Sequence, residues 1–237
     1  MALEHAALAL AQDLRGSHPD MAGAIHGALG RGFAGVGQYA RALELHAEDK
    51  AINEELGDHA AVAEACANLG VCYEKTGECS RALALHAEHK AISEALGDRA
   101  GLATACSNLG NCYFRSGEYA RALELYAELK AISEELGDRP GVAKACGNLG
   151  GCYEGMVQYA RALELHAEHK AISEELGDRK GVAAACGNLG NCYHRTGQYA
   201  QALELYAEAR AIFEELGDRA SLAKAYTNLG LTLEKSV

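Results

Sequence analysis

Cysteine is the residue type in this chain whose number and spacing most suggest chemistry. Eight of the nine cysteines recur at two positions of a repeat, as Cys66, Cys106, Cys146 and Cys186 and as Cys72, Cys112, Cys152 and Cys192. Within one helix the two positions are six residues apart, roughly 9 Å along the axis, which excludes a bond between them. The cysteines could instead be buried packing groups, form disulfides across repeats or bind a metal. The odd count, locked to the repeat, favours packing in a reducing cytoplasm.

Two further patterns resemble ligand sites. Histidines lie three residues apart, where a helix could present both to a metal, in His86/His89 and His166/His169. No carboxylate or third ligand is fixed beside them by a motif, and Tyr126 and Tyr206 occupy the position of His86, which indicates packing. The segment 30–35 matches GxGxxG, but a dinucleotide site needs a preceding strand, and this string lies inside a predicted helix. We therefore predict neither a metal site nor a cofactor.

Catalysis has little support in the sequence. No serine or cysteine stands in a nucleophile motif with its own base. The acidic residues of LELHAEHKAISEEL recur in every unit, as expected for a solvated helix face. An active site usually needs one unique constellation, whereas nearly every residue here is repeated. We expect the protein not to be an enzyme.

The elements that carry these residues follow a period of forty. NLGxCY begins at Asn68 and recurs at Asn108, Asn148 and Asn188. Apolar residues at helical spacing predict two helices per unit, with no strand alternation. A glycine such as Gly77 suits the end of the first helix, and the second ends at Gly97, followed by the N-cap Asp98. A fixed period of this length predicts stacked helical units.

The predicted organisation is a single repeat array over residues 1–237. Residues 1–16 form a partial first repeat with only its second helix. Five helix pairs follow, at 17–57, 58–97, 98–137, 138–177 and 178–217, and residues 218–237 form a final first-type helix. The chain starts and stops within a repeat, so it is expected to be a fragment of a longer protein.

The unit resembles the tetratricopeptide repeat in its forty-residue form. The residues that match the family's spacings are Leu109, Gly110, Tyr113, Gly117, Tyr119, Ala122 and Tyr126. Among them, Gly110 and Ala122 are the small residues where the two helices touch. The wording GDRxGxAxAxxNLGNxY also resembles arrays of Pins/LGN cell-polarity adaptors and of proteins with NB-ARC nucleotide switches. The resemblance implies an all-α, right-handed superhelical solenoid of antiparallel helix pairs. One departure is a cysteine in place of the family's large aromatic residue, as at Cys66, which predicts a tighter seam.

Composition excludes several classes of partner. The net charge of −11 argues against a footprint for nucleic-acid phosphates. The sequence contains no run of eighteen apolar residues, so no membrane span is predicted. The first residues lack the basic segment of a signal peptide. The expected location is the cytoplasm.

The positions that differ between repeats point to a binding surface. In the first helix of each pair they recur at spacings of three, four, three and one residue, which places them on one stripe. The resemblance implies that this stripe lines a concave groove, beside an unvarying row of asparagines whose amides could hold a peptide backbone. Drift at exposed positions, and asparagines that merely tie helices together, are the alternatives. The predicted peptide-binding residues are Asn68, Asn108, Asn111, Phe114, Arg115, Lys144, Asn148, Asn188, Asn191, His194, Arg195, Lys224 and Asn228.

The predicted function is a non-catalytic scaffold or adaptor that binds a protein or peptide in this groove. The stripe is mildly basic, which favours acidic segments or a C-terminal carboxylate. The alternative is a ligand-sensing or oligomerisation arm of a larger signalling protein. Because the two ends expose complementary helix faces, head-to-tail self-association is also expected.

Overall fold

A computed structural model describes residues 2–236 of the chain, and the side chains of residues 5–236. Within that range the backbone forms twelve α-helices and no strand, as the sequence predicts for an all-α repeat array. The helices are α1 (Ala2–Leu14), α2 (Pro19–Gly35), α3 (Tyr39–Leu56), α4 (His59–Thr76), α5 (Cys79–Leu96), α6 (Arg99–Arg115), α7 (Tyr119–Leu136), α8 (Arg139–Gly155), α9 (Tyr159–Glu175), α10 (Arg179–Arg195), α11 (Tyr199–Leu216) and α12 (Arg219–Ser236). We call the even-numbered helices A helices and the odd-numbered ones B helices.

The chain divides into two compact units, Met1–Cys112 and Tyr113–Val237, and α6 crosses the boundary. In the first unit the helices α1 to α5 pack in succession, each of α1 to α4 against the next one along the chain. In the second unit α7 to α12 do the same, and the A helix α10 also contacts the A helices α8 and α12. None of the helices in residues 2–236 combines the length and the apolar character that a membrane span requires.

Aspartate caps fix where α4, α6, α8 and α10 begin. The carboxylates of Asp58, Asp98, Asp138 and Asp178 each accept a hydrogen bond from the backbone N–H three residues on, at 2.9–3.0 Å. Such a cap satisfies one of the N–H groups that a helix start leaves unpaired. Pro140 follows directly in the first turn of α8, where its missing N–H costs nothing. The predicted caps at Asp98 and Asp138 are confirmed.

The turn between α8 and α9 departs from the pattern. The turn after α4 ends with Gly77 in the left-handed region, at φ 85°, as predicted. The corresponding residue after α8 is Val157, with φ 61°, and no other non-glycine residue in the described chain has a positive φ. A β-branched side chain in this conformation is strained because its Cβ crowds the backbone. Sequence reasoning missed this strained turn.

The A and B helices of a pair meet at a glycine. Gly150 faces the imidazole of His166, and Gly190 faces the phenol ring of Tyr206. A Cβ added at Gly150 would lie 2.5 Å from Cε1 of His166, and one at Gly190 would lie 2.6 Å from Cε1 of Tyr206. In the first unit Gly30 and Gly70 face His46 and His86 in the same way. The close contact predicted at the glycine of the A helix is therefore present.

Ion pairs connect successive B helices. Lys50 lies 2.9 Å from Glu88, Lys130 lies 2.8 Å from Glu168, and Lys170 lies 2.9 Å from Glu208. In each pair the lysine and the glutamate are 38 residues apart, so the contact joins one repeat to the next. The constancy of glutamate at these positions therefore reflects pairing between repeats, not only a solvated face. A row of constant glutamates on the B helices would contrast with the variable stripe of the A helices, and that contrast would favour selection at the stripe. Because pairing between repeats explains the constant row, the contrast supports selection less.

The cysteines occupy the seams between helices. Eight are buried, Cys79 is exposed at the start of α5, and all nine are free thiols. Burial, with Glu168 nearby, raises the pKa of Cys146 to about 12. Burial and Glu208 do the same for the pKa of Cys186. These thiols are protonated at neutral pH and serve as small packing groups.

One carboxyl group is buried in the first unit. Asp49 of α3 is 7% exposed and accepts a hydrogen bond from Nδ2 of Asn53 at 2.9 Å. Burial, together with the nearby Glu64 carboxylate, raises the pKa of Asp49 to about 6, although Asn53, Arg31 and His26 oppose the shift. Burial also lowers the pKa of His46 to about 4, with Arg31 contributing. Burial therefore shifts the two pKa values in opposite directions, and in each group it favours the uncharged form.

The contact between Gly150 and His166 can be tested with paired substitutions on neighbouring A helices. Gly150→Ala should destabilise the protein by about 1–3 kcal/mol, because the new methyl group overlaps the imidazole. Gly187→Ala is the matched control, since nothing lies within 4 Å of a Cβ at that position. It should leave stability unchanged or raise it by up to about 1 kcal/mol through helix propensity. Urea unfolding followed by circular dichroism measures both; equal midpoints would contradict the assigned contact.

Strain at Val157 should be removable. Val157→Gly is expected to stabilise the protein by about 1–2 kcal/mol, because glycine adopts the left-handed conformation without the Cβ clash. Val36→Gly, in the turn after α2, is the control, since Val36 has φ −99°. That change should not stabilise the protein. Thermal melting of the two variants gives the comparison, and a Val157→Gly variant that melts below the parent would argue against the strained turn.

The buried carboxyl group predicts a pH-dependent gain from Asp49→Asn. Below about pH 3.8 the carboxyl is protonated in both the folded and the unfolded protein, so the substitution should change stability little. As pH rises from about 3.8 to about 6, the Asp49 carboxyl loses its proton in the unfolded protein but keeps it in the folded protein. This difference disfavours folding of the parent protein. The variant should therefore gain stability over the parent, up to roughly 3 kcal/mol at pH 7. Denaturant unfolding at pH 4 and pH 7 tests this, and a gain of equal size at both values would contradict it.

Candidate functional site

The predicted site residues of the second unit share one surface. They lie on α8 (Lys144 and Asn148), α10 (Asn188, Asn191, His194 and Arg195) and α12 (Lys224 and Asn228). Because α10 packs beside both α8 and α12, these side chains come from three neighbouring helices. Six of them line cavities, and we call the surface that these six form the A-helix face: Lys144, Asn148, Asn188, Asn191, Lys224 and Asn228.

Two cavities open between the helices of this face. The first, of about 620 Å³, is lined by Lys144, Gly147 and Asn148 of α8, by His169 of α9 and by Asn188 of α10. The second, of about 270 Å³, lies between α10 and α12 and has Tyr206 and Phe213 of α11 in its wall. Its polar lining comes from Asn188, Asn191, Lys224 and Asn228. Asn188 lines both cavities and so connects them.

The asparagines of the face fall into two groups. Nδ2 of Asn148 is buried and has no hydrogen-bond partner. Oδ1 of Asn191 instead accepts from the hydroxyl of Tyr206 at 2.8 Å and from Nδ2 of Asn228 at 3.3 Å. Asn191 and Asn228 therefore connect α10 to α12. This contact supports the alternative that the asparagines tie helices together. Asn148 retains an unused donor beside a cavity.

The charge of the face is positive. Lys144 and Lys224 line the two cavities, are exposed, and form no ion pair with the described residues. The carboxylate of Glu154 is paired with the imidazole of His166, with Oε1 lying 2.7 Å from Nε2. Asp178 lines the larger cavity, but one of its oxygens caps α10. Two ammonium groups and an unpaired amide donor suit a ligand that carries carboxylate and carbonyl oxygens.

Other predicted site residues have contacts of their own in the second unit. The ring of Phe114 packs edge-on against Tyr119, with centroids 5.5 Å apart, and lies against Gly151. Nδ1 of His194 lies 2.9 Å from Oγ1 of Thr232, and Nε of Arg195 donates to the hydroxyl of Tyr159 at 3.0 Å. Arg115 follows Phe114 at the exposed end of α6. None of these four side chains lines either cavity.

The first unit holds the remaining three predicted residues. Asn68 lies on α4, and Asn108 and Asn111 lie on α6; all three are half-buried. Nδ2 of Asn68, like that of Asn148, is buried without a hydrogen-bond partner. The same repeat position therefore leaves the same unused donor in both units.

Sequence reasoning missed the cavity residues that come from B helices. Tyr206 was assigned a packing role, His169 was considered only as a metal ligand, and Phe213 was not considered, yet all three form cavity walls. Position 169 and its equivalents are Asp49, His89, Leu129 and Ala209, so this B-helix position varies as much as the A-helix stripe does. That variation was the available signal.

The helix pairs, their caps and their glycine contacts define a helical-repeat protein, and sequence comparison identifies which kind. A family described as tetratricopeptide repeat matches residues 101–175 and 181–236, and a second description of the same repeat matches residues 65–100. The chain belongs to the tetratricopeptide-repeat family. No curated protein sequence matches it.

Solved structures with the same fold have low sequence identity. BtubC (BKLC) from P. vanneervenii is 22% identical, with a TM-score of 0.81 over 91% of this chain and 90% of that one. A signal transduction ATPase with numerous domains from Pyrococcus horikoshii, which carries a tetratricopeptide repeat sensor, is 15% identical. Its TM-score is 0.70 over 98% of this chain and 43% of that one. A Rap protein complexed with Competence and Sporulation Factor is 16% identical, with a TM-score of 0.64 over 90% and 64% of the two chains.

Proposed function

We propose that this protein is a non-catalytic scaffold that binds an extended peptide segment, rich in acidic residues or ending in a carboxylate, on its A-helix face. The observation that carries the proposal is the buried, unpartnered Nδ2 of Asn148 at the edge of the larger cavity. Buried polar groups in folded proteins almost always have a hydrogen-bond partner, so an unpaired donor needs an explanation. A carbonyl oxygen of a bound peptide would provide the partner.

The chemistry of the face favours a backbone ligand. Asn188 lies between the two cavities, so a chain that ran from one cavity to the other would pass its amide. An amide donates and accepts, and can therefore bind a peptide group whatever the side chain. Lys144 and Lys224 stand at either side and would attract carboxylates. The chain as a whole carries a net charge of −11, which would repel an acidic ligand elsewhere.

Several properties support a scaffold and not an enzyme. Tetratricopeptide arrays present extended surfaces built from repeated units. The raised pKa values of Cys146 and Cys186 suppress the thiolate that a cysteine nucleophile requires. Buried free thiols also suit a reducing compartment, so we propose a cytoplasmic location.

A sensor arm of a larger signalling protein is the second candidate function. The structural similarity to the signal transduction ATPase covers 98% of this chain but only 43% of that protein, which includes a repeat sensor. The same A-helix face would then receive the signal. The coding sequence that flanks this chain would distinguish the two candidates, because a sensor arm should be joined to a nucleotide-binding module.

Self-association remains part of the proposal. On α12 the side chains of Tyr226, Leu231 and Leu233 are each more than half exposed. Leu10 on α1 is exposed to a similar degree, and the side chain of Leu3 lies outside the described residues. Exposed apolar faces of unlike shape favour head-to-tail contacts between copies. Any binding measurement on this chain should therefore be accompanied by its molecular mass in solution.

Loss of two amides should weaken peptide binding. A peptide array that varies acidic content and carries free or amidated C-termini would first yield a binding sequence. Asn148→Ala with Asn188→Ala should then reduce affinity by about 1–3 kcal/mol, since each amide contact contributes roughly 0.5–1.5 kcal/mol. That loss corresponds to roughly a 5- to 150-fold increase in Kd. Isothermal calorimetry measures it.

Gln201→Ala is the matched control, because Gln201 is an exposed amide on α11 that lines neither cavity. It should leave affinity unchanged. Lys144→Glu with Lys224→Glu should weaken binding most at low salt, since screening diminishes the effect of exposed charges. If the asparagine pair binds like the parent while circular dichroism shows an intact fold, the site is not on this face.

A further inference from the structure

Two clusters of one glutamate, one histidine and one cysteine occur at equivalent places, eighty residues apart. They are Glu74, His86 and Cys112 in the first unit and Glu154, His166 and Cys192 in the second. In each cluster one carboxylate oxygen, one imidazole nitrogen and the sulfur all lie within 4.8 Å of one another. Each combines an A helix, the B helix that follows it and the next A helix. None of these contacts joins residues that are close in sequence.

The geometry of the two clusters is the same. Nε2 of His86 lies 2.9 Å from Oε1 of Glu74, and Sγ of Cys112 lies 3.5 Å from the same oxygen. Nε2 of His166 lies 2.7 Å from Oε1 of Glu154. In a tetrahedral zinc site the bond lengths of about 2.0–2.3 Å place ligand atoms roughly 3.3–3.8 Å apart. Small side-chain movements would bring all three groups to these separations.

The clusters are buried and held by rigid elements. Both imidazoles are fully buried, both sulfurs lie on buried residues, and the glutamate side chains are 17% and 23% exposed. Each ring is positioned by the glycine opposite it, Gly70 or Gly150, which leaves room for the imidazole against the A helix. The glutamate is the member that reaches solvent. An ion could therefore enter from the side of the A helices.

Comparison of the repeats within the chain shows that the glutamate occurs only where the ring position holds a histidine. Where the ring position holds Tyr126, the glutamate position holds Phe114, although Cys152 is retained. Where the ring position holds Tyr206, the other two positions hold His194 and Thr232. The fold therefore accommodates an aromatic pair at this place. Where the ring position holds His46, Cys72 is present but Ala34 takes the glutamate position. Carboxylate, imidazole and thiol therefore occur together in two of the five repeats.

We propose that each cluster binds one zinc ion through a carboxylate oxygen of the glutamate, Nε2 of the histidine and Sγ of the cysteine. Sulfur, nitrogen and oxygen ligands in a tetrahedral arrangement are typical of zinc, and water would take the fourth position. A thiolate and a carboxylate neutralise the two positive charges of the ion, which suits a buried site. The thiol proton leaves to solvent as the metal binds. This inference does not depend on the peptide-binding proposal.

The surroundings indicate moderate affinity. Nδ1 of His86 and Nδ1 of His166 are buried and have no hydrogen-bond partner. Zinc-bound histidines usually donate their other N–H to an acceptor, and loss of that partner commonly weakens binding by about 10- to 100-fold. The sites should therefore release zinc to a strong chelator. That property makes the metal-free chain accessible for titration.

Cobalt titration of the chelator-treated full chain tests the proposal. We expect two equivalents of Co²⁺ to bind, with the charge-transfer absorption of a cobalt–thiolate bond, and Zn²⁺ to displace both. Glu154→Gln and Glu74→Gln should each remove one equivalent, and the double variant should remove both. Glutamine retains the size and the hydrogen-bonding oxygen of glutamate, so these variants should fold like the parent.

Two cysteine variants control for other thiols. Cys152→Ala, in the frame that contains Phe114 and Tyr126, should still bind two equivalents, and so should Cys79→Ser at the exposed thiol. Zn²⁺ should raise the melting temperature of the parent but not that of the double glutamine variant, because a ligand stabilises only the state that binds it. Absence of the charge-transfer band from the parent would overturn the proposal. So would two equivalents in the double glutamine variant.

Discussion

The close approach of an A helix to the B helix that follows it, seen at Gly30, Gly70, Gly150 and Gly190, is the constraint on which the rest of the structure depends. A glycine such as Gly70 or Gly150 removes the side chain at the crossing, so a ring from the B helix lies directly against the A helix. Only a flat side chain fits there, which explains why the position holds imidazole or phenol. The ring in turn places a polar atom beneath the A helices. The glutamate pairs, the hydroxyl of Tyr206 and the cavity between α10 and α12 all follow from this one crossing.

The sequence predicted what depends on local periodicity and failed where three elements meet. Helix type, the caps at Asp98 and Asp138 and the burial of the repeated cysteines depend on neighbours in sequence, and all were predicted correctly. The strain at Val157 was missed, because the glycine frame suggested a regular turn. Pairing His86 with His89 followed helical spacing, whereas its partners Glu74 and Cys112 come from two other helices. Periodicity shows which face a residue occupies but not which residue of another helix it contacts.

The charges of the chain are distributed according to whether they connect repeats. The lysines and glutamates of the B helices pair with one another at 2.8–2.9 Å, so their charges largely cancel. On the A-helix face Lys144 and Lys224 form no ion pair with the described residues, and Glu154 of α8 is paired with His166. An acidic protein thus retains a locally basic surface. The B helices maintain the array, while the A helices are free to differ between repeats.

Cys79 gives the molecule a practical property. Tyrosine fills this place in the other four repeats, but here a thiol is exposed at the first position of α5. The other eight thiols are shielded by their surroundings. A maleimide dye or a surface tether would therefore attach at a single defined point of the natural sequence. Labelling of this kind would allow single-molecule and immobilised measurements without an engineered cysteine, and at a residue that lies outside the A-helix face.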